Sequence, residues 1–237
     1  MTETKAKSVL ITGAGGGVGS AVTQQLLKTG YKVGLSYRSR SHKNYLESLE
    51  GFNTEQALLL PSDLNNPKEA DSIVRKMKER FGQIDMLFNA VGGWLGGKKL
   101  HEHMLDELQK MLLIDMIPTF NIMKSILPEM EKQHSGRIVN FISMAIFGGE
   151  KNNAIYAASK AAVNALSQGA AQEYSEKNIQ VFTIAPSTIN TESNRQAMPN
   201  ADHSAWVSVD AIADLAVTLL EDGKYLSGTT FKMTGRL

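Results

Sequence analysis

The stretch SVLITGAGGGVGSAVTQQLLK, residues 8–28, decides the fold of this chain. It opens with a short apolar run from Ser8 to Thr12, which is typical of a buried parallel strand. A glycine-rich turn follows, and apolar residues at helical spacing then run from about Val18 to Lys28, with Gly30 ending the pattern. The stretch therefore predicts a strand, a glycine turn and a helix in direct succession.

This succession is the context in which backbone groups bind a pyrophosphate. Glycines let the backbone approach phosphates closely, and the start of a helix offers free N–H groups and the positive end of a dipole. The spacing from Thr12 to Gly19 is Thr-Gly-x-x-x-Gly-x-Gly, and no register of the Gly-x-Gly-x-x-Gly fingerprint fits it. A flexible turn without a ligand is less compatible with the flanking strand and helix. The predicted phosphate-binding residues are Gly13, Gly16, Gly17 and Val18.

Strand and helix patterns alternate along the rest of the chain. Apolar runs predict further strands over residues 31–37, 57–60, 84–90, 137–142, 179–185 and 229–233. Helical patterns lie between them at 67–81, 101–132, around Tyr156 to about 175, and after Ser208. We expect the helix over 101–132 to be interrupted or bent near Pro118 and Pro128. The alternation predicts an α/β fold: a single Rossmann-type doubly wound domain over residues 1–237, with about seven parallel strands and helices on both faces.

The composition argues against several classes of function. The formal net charge is +1, so nucleic acid is not an expected partner. No apolar run approaches the roughly 18 to 20 residues that span a bilayer, and the start MTETKAK does not resemble a secretory signal, so we expect no membrane association and a cytoplasmic location. The chain has no cysteine, and His101 and His103 are not spaced to share one ligand on a helix, so we predict no metal site.

The end of the second strand indicates the cofactor. In βαβ nucleotide-binding units, an acidic residue at this point binds the ribose 2′-hydroxyl of NAD, whereas an arginine accommodates the 2′-phosphate of NADP. This chain has Arg38-Ser39-Arg40 there and no acid. We predict a preference for NADP(H), with Arg38 at the phosphate and NAD(H) as a possible second cofactor. The alternative is a solvated basic loop.

Three side chains near the fifth strand suggest acid/base chemistry. Ser143 follows the apolar run of that strand, and Tyr156 and Lys160 are four positions apart, on one face of a helix. A fixed cation beside a phenol favours its deprotonated form, which suits a general acid/base acting on a carbonyl or alcohol oxygen. By itself, a tyrosine and a lysine at this spacing more often lie on a helix surface or contribute to packing than to catalysis.

Together these motifs resemble the short-chain dehydrogenase/reductase family along essentially the whole chain. The turn from Thr12 to Gly19 looks like the family's cofactor turn, and Ser143 with Tyr156-x-x-x-Lys160 is similar to its catalytic pattern. The resemblance implies that Tyr156 and Lys160 also contact the cofactor. It implies further cofactor contacts from Asp63, Leu64, Asn89, Ala90, Val91, Pro186 and Ile189.

The chain departs from the family pattern at three places. Val91 replaces the first glycine of the family's Asn-Ala-Gly segment, and Ser187 replaces the glycine after Pro186. Asp115 stands nearest to the place of an asparagine that often supports a proton-relay water, so we include Asp115 among the catalytic candidates. An aspartate could hold such a water, but it brings a charge.

Two loops are similar to those of quinonoid dihydropteridine reductases. One is the glycine-tryptophan loop over residues 91–97, and the other is the polar segment over residues 187–207, which we call the lid. A loop of that length inside a domain is usually functional. Those reductases typically lack the catalytic serine and carry an acid after the second strand, unlike this chain, so the loops can also mark a lineage. The predicted substrate-pocket residues are Trp94, Met144 and Met198.

The resemblance implies an NAD(P)(H)-dependent oxidoreductase that reduces a small carbonyl or quinonoid substrate, with a dihydropteridine as one option. A 3-oxoacyl thioester on an acyl carrier is the alternative substrate. A dinucleotide-binding regulator without turnover is the alternative of another class, which the intact Ser143, Tyr156 and Lys160 disfavour. The family also implies a homodimer or homotetramer.

Overall fold

The glycine-turn stretch folds as its sequence predicts. The computed structural model describes residues 6–148, 150–222 and 226–235, and the predicted domain over 1–237 extends beyond these ranges. Strand β1, Ser8–Thr12, is buried along its whole length. Helix α1, Gly17–Lys28, follows the turn and buries Val22, Leu26 and Leu27 against the sheet.

The described residues form one parallel sheet of seven strands, which confirms the predicted fold class. The strand order is β3-β2-β1-β4-β5-β6-β7, and every neighbouring pair is parallel. The remaining strands are β2 Lys32–Tyr37, β3 Ala57–Pro61, β4 Met86–Asn89, β5 Gly136–Phe141, β6 Ile179–Pro186 and β7 Thr230–Met233. The order reverses beside β1, which pairs with β2 on one side and β4 on the other.

Helices cover both faces of this sheet. The helices are α2 Arg40–Glu47, α3 Pro67–Phe81, α4 Leu105–Gln133, α5 Ala145–Gly148, α6 Ala154–Glu173, α7 Glu192–Ala197 and α8 Val209–Glu221. Val9 and Ile11 of β1 belong to the core under α1 and α8, whereas Leu10 belongs to the core under α3, α4 and α6. Successive strand side chains point to opposite faces, so the continuous apolar run of β1 supplies both cores.

The long helix α4 differs from its prediction. It begins at Leu105 after a 3₁₀ turn at Leu100–Glu102, and it runs for 29 residues through Pro118 and Pro128 without interruption. A proline inside a helix costs about 3 kcal/mol. Here α4 packs against α3 and α6, and its buried face outweighs that cost. The prediction of an interruption is therefore wrong.

Among the described residues, α4 is also the one helix long and apolar enough to cross a bilayer by length and composition. This helix thus differs from the expectation that no segment is long and apolar enough to span a bilayer. Half of its most apolar window is buried inside the protein. The core helix of a globular protein passes the same test, and α4 packs as such a helix between α3 and α6.

Three helices were not predicted. Arg40–Glu47 buries Leu46 and is held at its start by the Ser39 hydroxyl, which accepts a hydrogen bond from the backbone N–H of His42. The short α5 lies directly after Ser143. Helix α7 lies within the lid, which the sequence led us to expect as irregular, and a 3₁₀ turn at His203–Ala205 follows it.

Candidate active site

A cleft opens where the strand order reverses. Ligands of open α/β sheets bind outside the carboxyl ends of the strands at such a switch point. The cleft is lined by residues at or after the ends of β1, β2, β3 and β4 and by one segment of α4. These are Gly13, Gly15, Gly16, Ser36, Tyr37, Arg38, His42, Ser62, Asp63, Leu64, Asn65, Ala90, Val91, Gly92, Leu113, Ile114 and Pro118.

Close packing of backbone against backbone explains the glycine turn. Gly13 has a φ of +63°, a left-handed conformation, and a Cβ there would lie 2.6 Å from the carbonyl oxygen of Ala90. A Cβ on Gly19 would collide with the carbonyl oxygen of Gly13. The turn therefore needs glycine at both places, and it brings the end of β1 against the segment after β4.

The start of α1 fits the phosphates of a dinucleotide. Its N-cap residue is Gly16, which has no side chain to satisfy the first N–H groups, and its first turn carries no acidic residue. Uncapped N–H groups at a helix start attract anions. Gly13 and Gly16 line the cleft beside these groups, and Gly17 and Val18 form the first turn of the helix.

The cleft continues past Arg38. This exposed side chain lines it, and within the described residues its guanidinium has no hydrogen-bond or ion-pair partner. Arg40 instead begins α2 and is not among the lining residues. His42, which sequence reasoning missed, lines the cleft beside the position of Gly15. The structure thus places Arg38 in the cleft and Arg40 outside the residues that line it.

The segment after β3 forms the opposite wall. Asp63 accepts a hydrogen bond from the backbone N–H of Asn65 at 3.1 Å, which shapes the turn. Leu64 is buried, and its carbonyl oxygen accepts a hydrogen bond from Asn121 of α4 at 2.8 Å. Asn65 also lines the cleft, and its buried side-chain oxygen has no hydrogen-bond partner among the described residues. Neither Asn65 nor Asn121 was a candidate from the sequence.

The side chain of Asn89 ties the site together from inside the sheet. Its oxygen accepts a hydrogen bond from Thr12, and its nitrogen donates to Thr119 at 3.1 Å and to Asn140 at 2.9 Å. It is 2% exposed. The amide thus joins β1, β4, β5 and α4. Because it is used inside the protein, a ligand would contact the backbone here and the neighbouring residues Ala90 and Val91, which line the cleft.

The three acid/base candidates lie around the end of β5. Ser143 comes two residues after the strand, and its hydroxyl oxygen accepts a hydrogen bond from the backbone N–H of Ala145 at 3.2 Å. Tyr156 is half-buried in the first turn of α6, one turn before the buried Lys160. The Lys160 ammonium donates to the carbonyl oxygen of Phe141 at 3.3 Å, which ties α6 to the strand end that leads to Ser143.

Asp115 reaches this group from α4. It is fully buried, and its Oδ1 lies 3.1 Å from the Lys160 ammonium. The same oxygen accepts a hydrogen bond from the backbone N–H of Gly93 at 3.1 Å. Burial raises the pKa of the Asp115 carboxyl, although Lys160 and the Gly93 N–H act in the opposite direction. The structure therefore brings Asp115 together with Lys160.

The glycine-tryptophan loop is fastened to the segment before α6. Trp94 donates its indole N–H to Asn153 at 2.9 Å, and the N–H of Gly97 donates to the carbonyl oxygen of Asn152 at 2.8 Å. Trp94 nonetheless remains 60% exposed. The loop thus presents an aromatic side chain near the start of the Tyr156 helix. Asn153 was not predicted from the sequence.

The lid lies over the start of α1. Pro186 ends β6, and its carbonyl oxygen accepts a hydrogen bond from the N–H of Met144. Ile189 pairs with Val207 at the far end of the lid. A Cβ on Gly17 would lie 2.9 Å from the Thr191 methyl carbon. The lid segment therefore contacts the glycine turn directly.

The predicted substrate residues are less closely grouped than the cofactor residues. Trp94, Met144 and Met198 do not line the cleft described above. Met144 packs with Met116 and Ile146 against a small core beside the end of β5. Met198 ends α7 in the lid and is 41% exposed. The structure therefore places these three side chains on three separate segments, which follow β4, β5 and β6.

Comparisons with known proteins agree with this geometry. Residues 7–202 match the short chain dehydrogenase family. An uncharacterized oxidoreductase of Staphylococcus aureus (strain MW2) is 30% identical over 192 residues, which cover 81% of this chain and 81% of that protein.

Solved structures are similar across nearly the whole chain. ElxO with NADP bound has a TM-score of 0.89 at 26% identity, over 96% of this chain and 97% of that one. NAD⁺-bound xylitol dehydrogenase has a TM-score of 0.87 at 25% identity, over 98% of this chain and 100% of that one. The two structures hold different forms of the nicotinamide cofactor. The family match and the sequence relative together show that this chain is a member of the short-chain dehydrogenase/reductase family of oxidoreductases.

Proposed function

We propose that this oxidoreductase uses NADP(H) in preference to NAD(H) to reduce a small carbonyl or quinonoid compound. The observation that carries the proposal is the junction of β5 and α6. There the Lys160 ammonium is bonded to the strand end that leads to Ser143, and Tyr156 lies one turn before Lys160 on α6. The nicotinamide cofactor, when bound, supplies the hydride.

The chain's own residues supply the proton and the orientation. Tyr156 donates a proton to the substrate oxygen in reduction and accepts it in oxidation. Ser143 hydrogen-bonds the same oxygen and stabilises the charge that develops on it. Lys160 holds its positive charge beside the phenol and contacts the nicotinamide ribose.

The preference for NADP(H) rests on the adenosine end of the cleft. Arg38 lines it with a guanidinium that has no ion-pair partner among the described residues, and planar guanidinium groups bind phosphate oxygens well. The other cofactor contacts are expected from Asp63, Leu64, Val91, Pro186 and Ile189. ElxO, a fold neighbour with NADP bound, supports this proposal, and NAD⁺-bound xylitol dehydrogenase keeps NAD(H) open as the second cofactor.

The substrate class rests on the loops around the junction. The exposed face of Trp94, fixed by its bond to Asn153, favours a small planar compound such as a quinonoid dihydropterin. Met144 and Met198 are the other proposed pocket residues. A 3-oxoacyl thioester is the second candidate. We also propose a cytoplasmic homodimer or homotetramer, with no nucleic-acid or membrane partner.

The Tyr156→Phe variant tests the catalytic assignment. Removing one proton-transfer group typically costs about 10²- to 10⁴-fold in rate. We expect kcat to fall by that factor while the variant still binds NADPH, measured by fluorescence titration. Tyr174→Phe is the matched control, since Tyr174 lies at the other end of the same helix, and it should keep full activity. Full activity in Tyr156→Phe would overturn the assignment.

A substrate panel separates the candidates. NADPH and NADH oxidation should be followed with quinonoid dihydropterin, an acetoacetyl thioester and simple ketones as acceptors. Turnover that is fastest with dihydropterin supports the first candidate, and turnover that is fastest with the thioester supports the second. Cofactor binding without turnover on any acceptor would instead support a dinucleotide-binding regulator.

A further inference from the structure

Asp115 and Lys160 form a buried ion pair beside the proposed proton donor. Asp115 is fully buried and Lys160 is 4% exposed, and their charged atoms are 3.1 Å apart. Ion pairs on a protein surface contribute little to stability. A buried charge interacts more strongly with other charges nearby, because the dielectric constant around it is low. Tyr156 lies one helical turn from Lys160. The net charge next to the phenol therefore depends on Asp115 as well as on Lys160.

The same carboxylate oxygen also holds the turn after β4. It accepts the hydrogen bond from the N–H of Gly93, the residue directly before Trp94. A Cβ on Gly92 would lie 2.6 Å from this oxygen and 2.8 Å from the Lys160 ammonium, so the backbone passes directly over the pair. Asp115 thus links the ammonium group and the substrate-side loop through a single atom.

The second carboxylate oxygen of Asp115 is buried and has no hydrogen-bond partner among the described residues. One ionisable group, Lys160 of α6, contacts this carboxyl, and Tyr156 lies one turn before Lys160 on the same helix. From α6 also comes the hydroxyl of Ser159, which donates to the carbonyl oxygen of Met111, and from β5 comes the carbonyl oxygen of Phe141. Burial disfavours the ionised carboxylate and raises the pKa of Asp115, whereas the Lys160 ammonium, the Gly93 N–H and the Ser159 hydroxyl stabilise the charged form.

We propose that Asp115 is a positioning residue that acts through Lys160, balancing the ammonium charge beside Tyr156 and fixing the Gly92–Gly93 turn against the same ion pair. With the carboxylate ionised, the Lys160 charge one turn from Tyr156 is largely compensated, so the pair adds little net charge beside the phenol. Without it, an uncompensated cation beside the phenol favours the phenolate. The inference rests on the proposed role of Tyr156.

The Asp115→Asn variant tests this role through the pH profile of reduction. The amide keeps the size of the side chain and an oxygen for the Gly93 N–H, but it removes the charge. We expect the alkaline limb of kcat/KM, where the proton donor is lost, to move to lower pH by on the order of one pH unit. A role in structure alone would lower the rate equally at all pH values and leave the limb in place, which would overturn the proposal.

Asp106→Asn is the matched control. Asp106 lies in the first turn of the same helix and is exposed, and its carboxylate accepts a hydrogen bond only from the neighbouring N–H of Glu107 among the described residues. We expect its pH profile to match that of the wild type. An equal shift of the alkaline limb in Asp106→Asn would show a general charge effect of α4 and would contradict the specific coupling through Lys160.

A second measurement does not need turnover or a stable Asp115 variant. Aspartate carboxyl carbons can be labelled with ¹³C and titrated by NMR in the wild type and in Lys160→Met. We expect one aspartate of the wild type to ionise at higher pH than usual and, in Lys160→Met, at a pH higher still, since Lys160 lowers the pKa of Asp115. Unchanged titration of every carboxyl in Lys160→Met would overturn the ion pair. If the carboxyl titrates at a shifted pH but the wild type shows no turnover, the ion pair is supported and only the proposed function is refuted.

Discussion

Arg38 and Arg40 stand two positions apart in the sequence but face different surroundings. Arg38 lines the cleft, whereas Arg40 begins α2 outside the lining residues. The sequence shows that no acidic residue follows β2 and led us to place Arg38 at the phosphate, but no sequence pattern excluded Arg40. The exclusion of Arg40 depends on where α2 begins, and α2 has only one buried side chain, Leu46, to reveal it in the sequence.

The two arginines form a matched pair for testing the cofactor preference. A hydrogen bond to a charged group contributes about 1.5–3 kcal/mol, which corresponds to roughly a 10- to 100-fold change in affinity. We expect Arg38→Ala to raise KM for NADPH by that factor and to leave KM for NADH nearly unchanged, while Arg40→Ala changes neither. Steady-state kinetics with both cofactors checks this. Equal losses for NADPH and NADH in Arg38→Ala would contradict a contact with the 2′-phosphate.

Asp115 shows how far single residues could be understood from the sequence. The resemblance made it a candidate beside the proposed catalytic residues, and the structure places it in a buried ion pair with Lys160. The pairing itself could not be predicted, because α4 and α6 are distant in the sequence and nothing in their patterns fixes which faces meet. The bonds of Asn89 to Thr119 and Asn140 were missed for the same reason.

At the scale of elements, the strands were the most predictable part. The apolar runs of β1, β4 and β6 are buried along their whole length, and β1 matches its predicted limits. Among the helices, α3 also matches its predicted limits. Helix α4 was misjudged because local rules on proline do not include packing. Its buried face, which includes Met111, Ile126 and Met130, is what keeps it continuous.

The start of α4 is held by a charged side chain. Glu107 accepts hydrogen bonds from Lys98 and from the N–H of Met104, and it lies 3.2 Å from His103. The bond from Lys98, with smaller contributions from Met104 and His103, lowers the pKa of Glu107 to about 2. A carboxyl whose pKa is lowered by folding stabilises the protein at pH values above its pKa in the unfolded chain. This stabilisation is lost as the pH falls from there through the pKa in the folded protein.

We therefore expect Glu107→Gln to lower the thermal unfolding midpoint at pH 7. The difference from the wild type should shrink as the pH falls from about 4.5 toward 2, because the wild type then loses the same charge. Thermal unfolding at a series of pH values measures it. Glu102→Gln, a change in the preceding 3₁₀ turn, is the control. A difference that stayed constant down to pH 2 would show that the charge of Glu107 is not involved.

At the scale of the whole molecule, the cleft and the lid are joined. Thr191 of the lid packs over Gly17 at the start of α1, and Ile189 pairs with Val207 at the lid's other end. The sequence predicted a functional segment over residues 187–207, but its contact with the glycine turn depends on how β6 and β1 lie in the sheet. Whole-molecule contacts of this kind have no local signal in the sequence.

This contact predicts a shared response to the cofactor. We expect NADP⁺ to slow amide hydrogen exchange both in residues 13–19 and in residues 191–198, because phosphates bound at the start of α1 would lie beneath Thr191. Exchange in α3, on the opposite side of the sheet from α1, should not change. Mass spectrometry with and without NADP⁺ measures all three segments. Slowed exchange in the glycine turn alone would show that the lid does not respond to the ligand.

The crowding around Gly92 has a practical consequence for remodelling this enzyme. Its backbone passes directly over the Asp115–Lys160 pair, so any side chain at this position would push the two charged groups out of place. The next positions along the loop, Trp94 and Leu95, do not touch that pair in any hydrogen bond or ion pair of the described residues. A mutant library aimed at new substrates should therefore randomise the tip of the loop and keep its base fixed, so that acceptance of new substrates can evolve separately from the proposed proton-transfer residues.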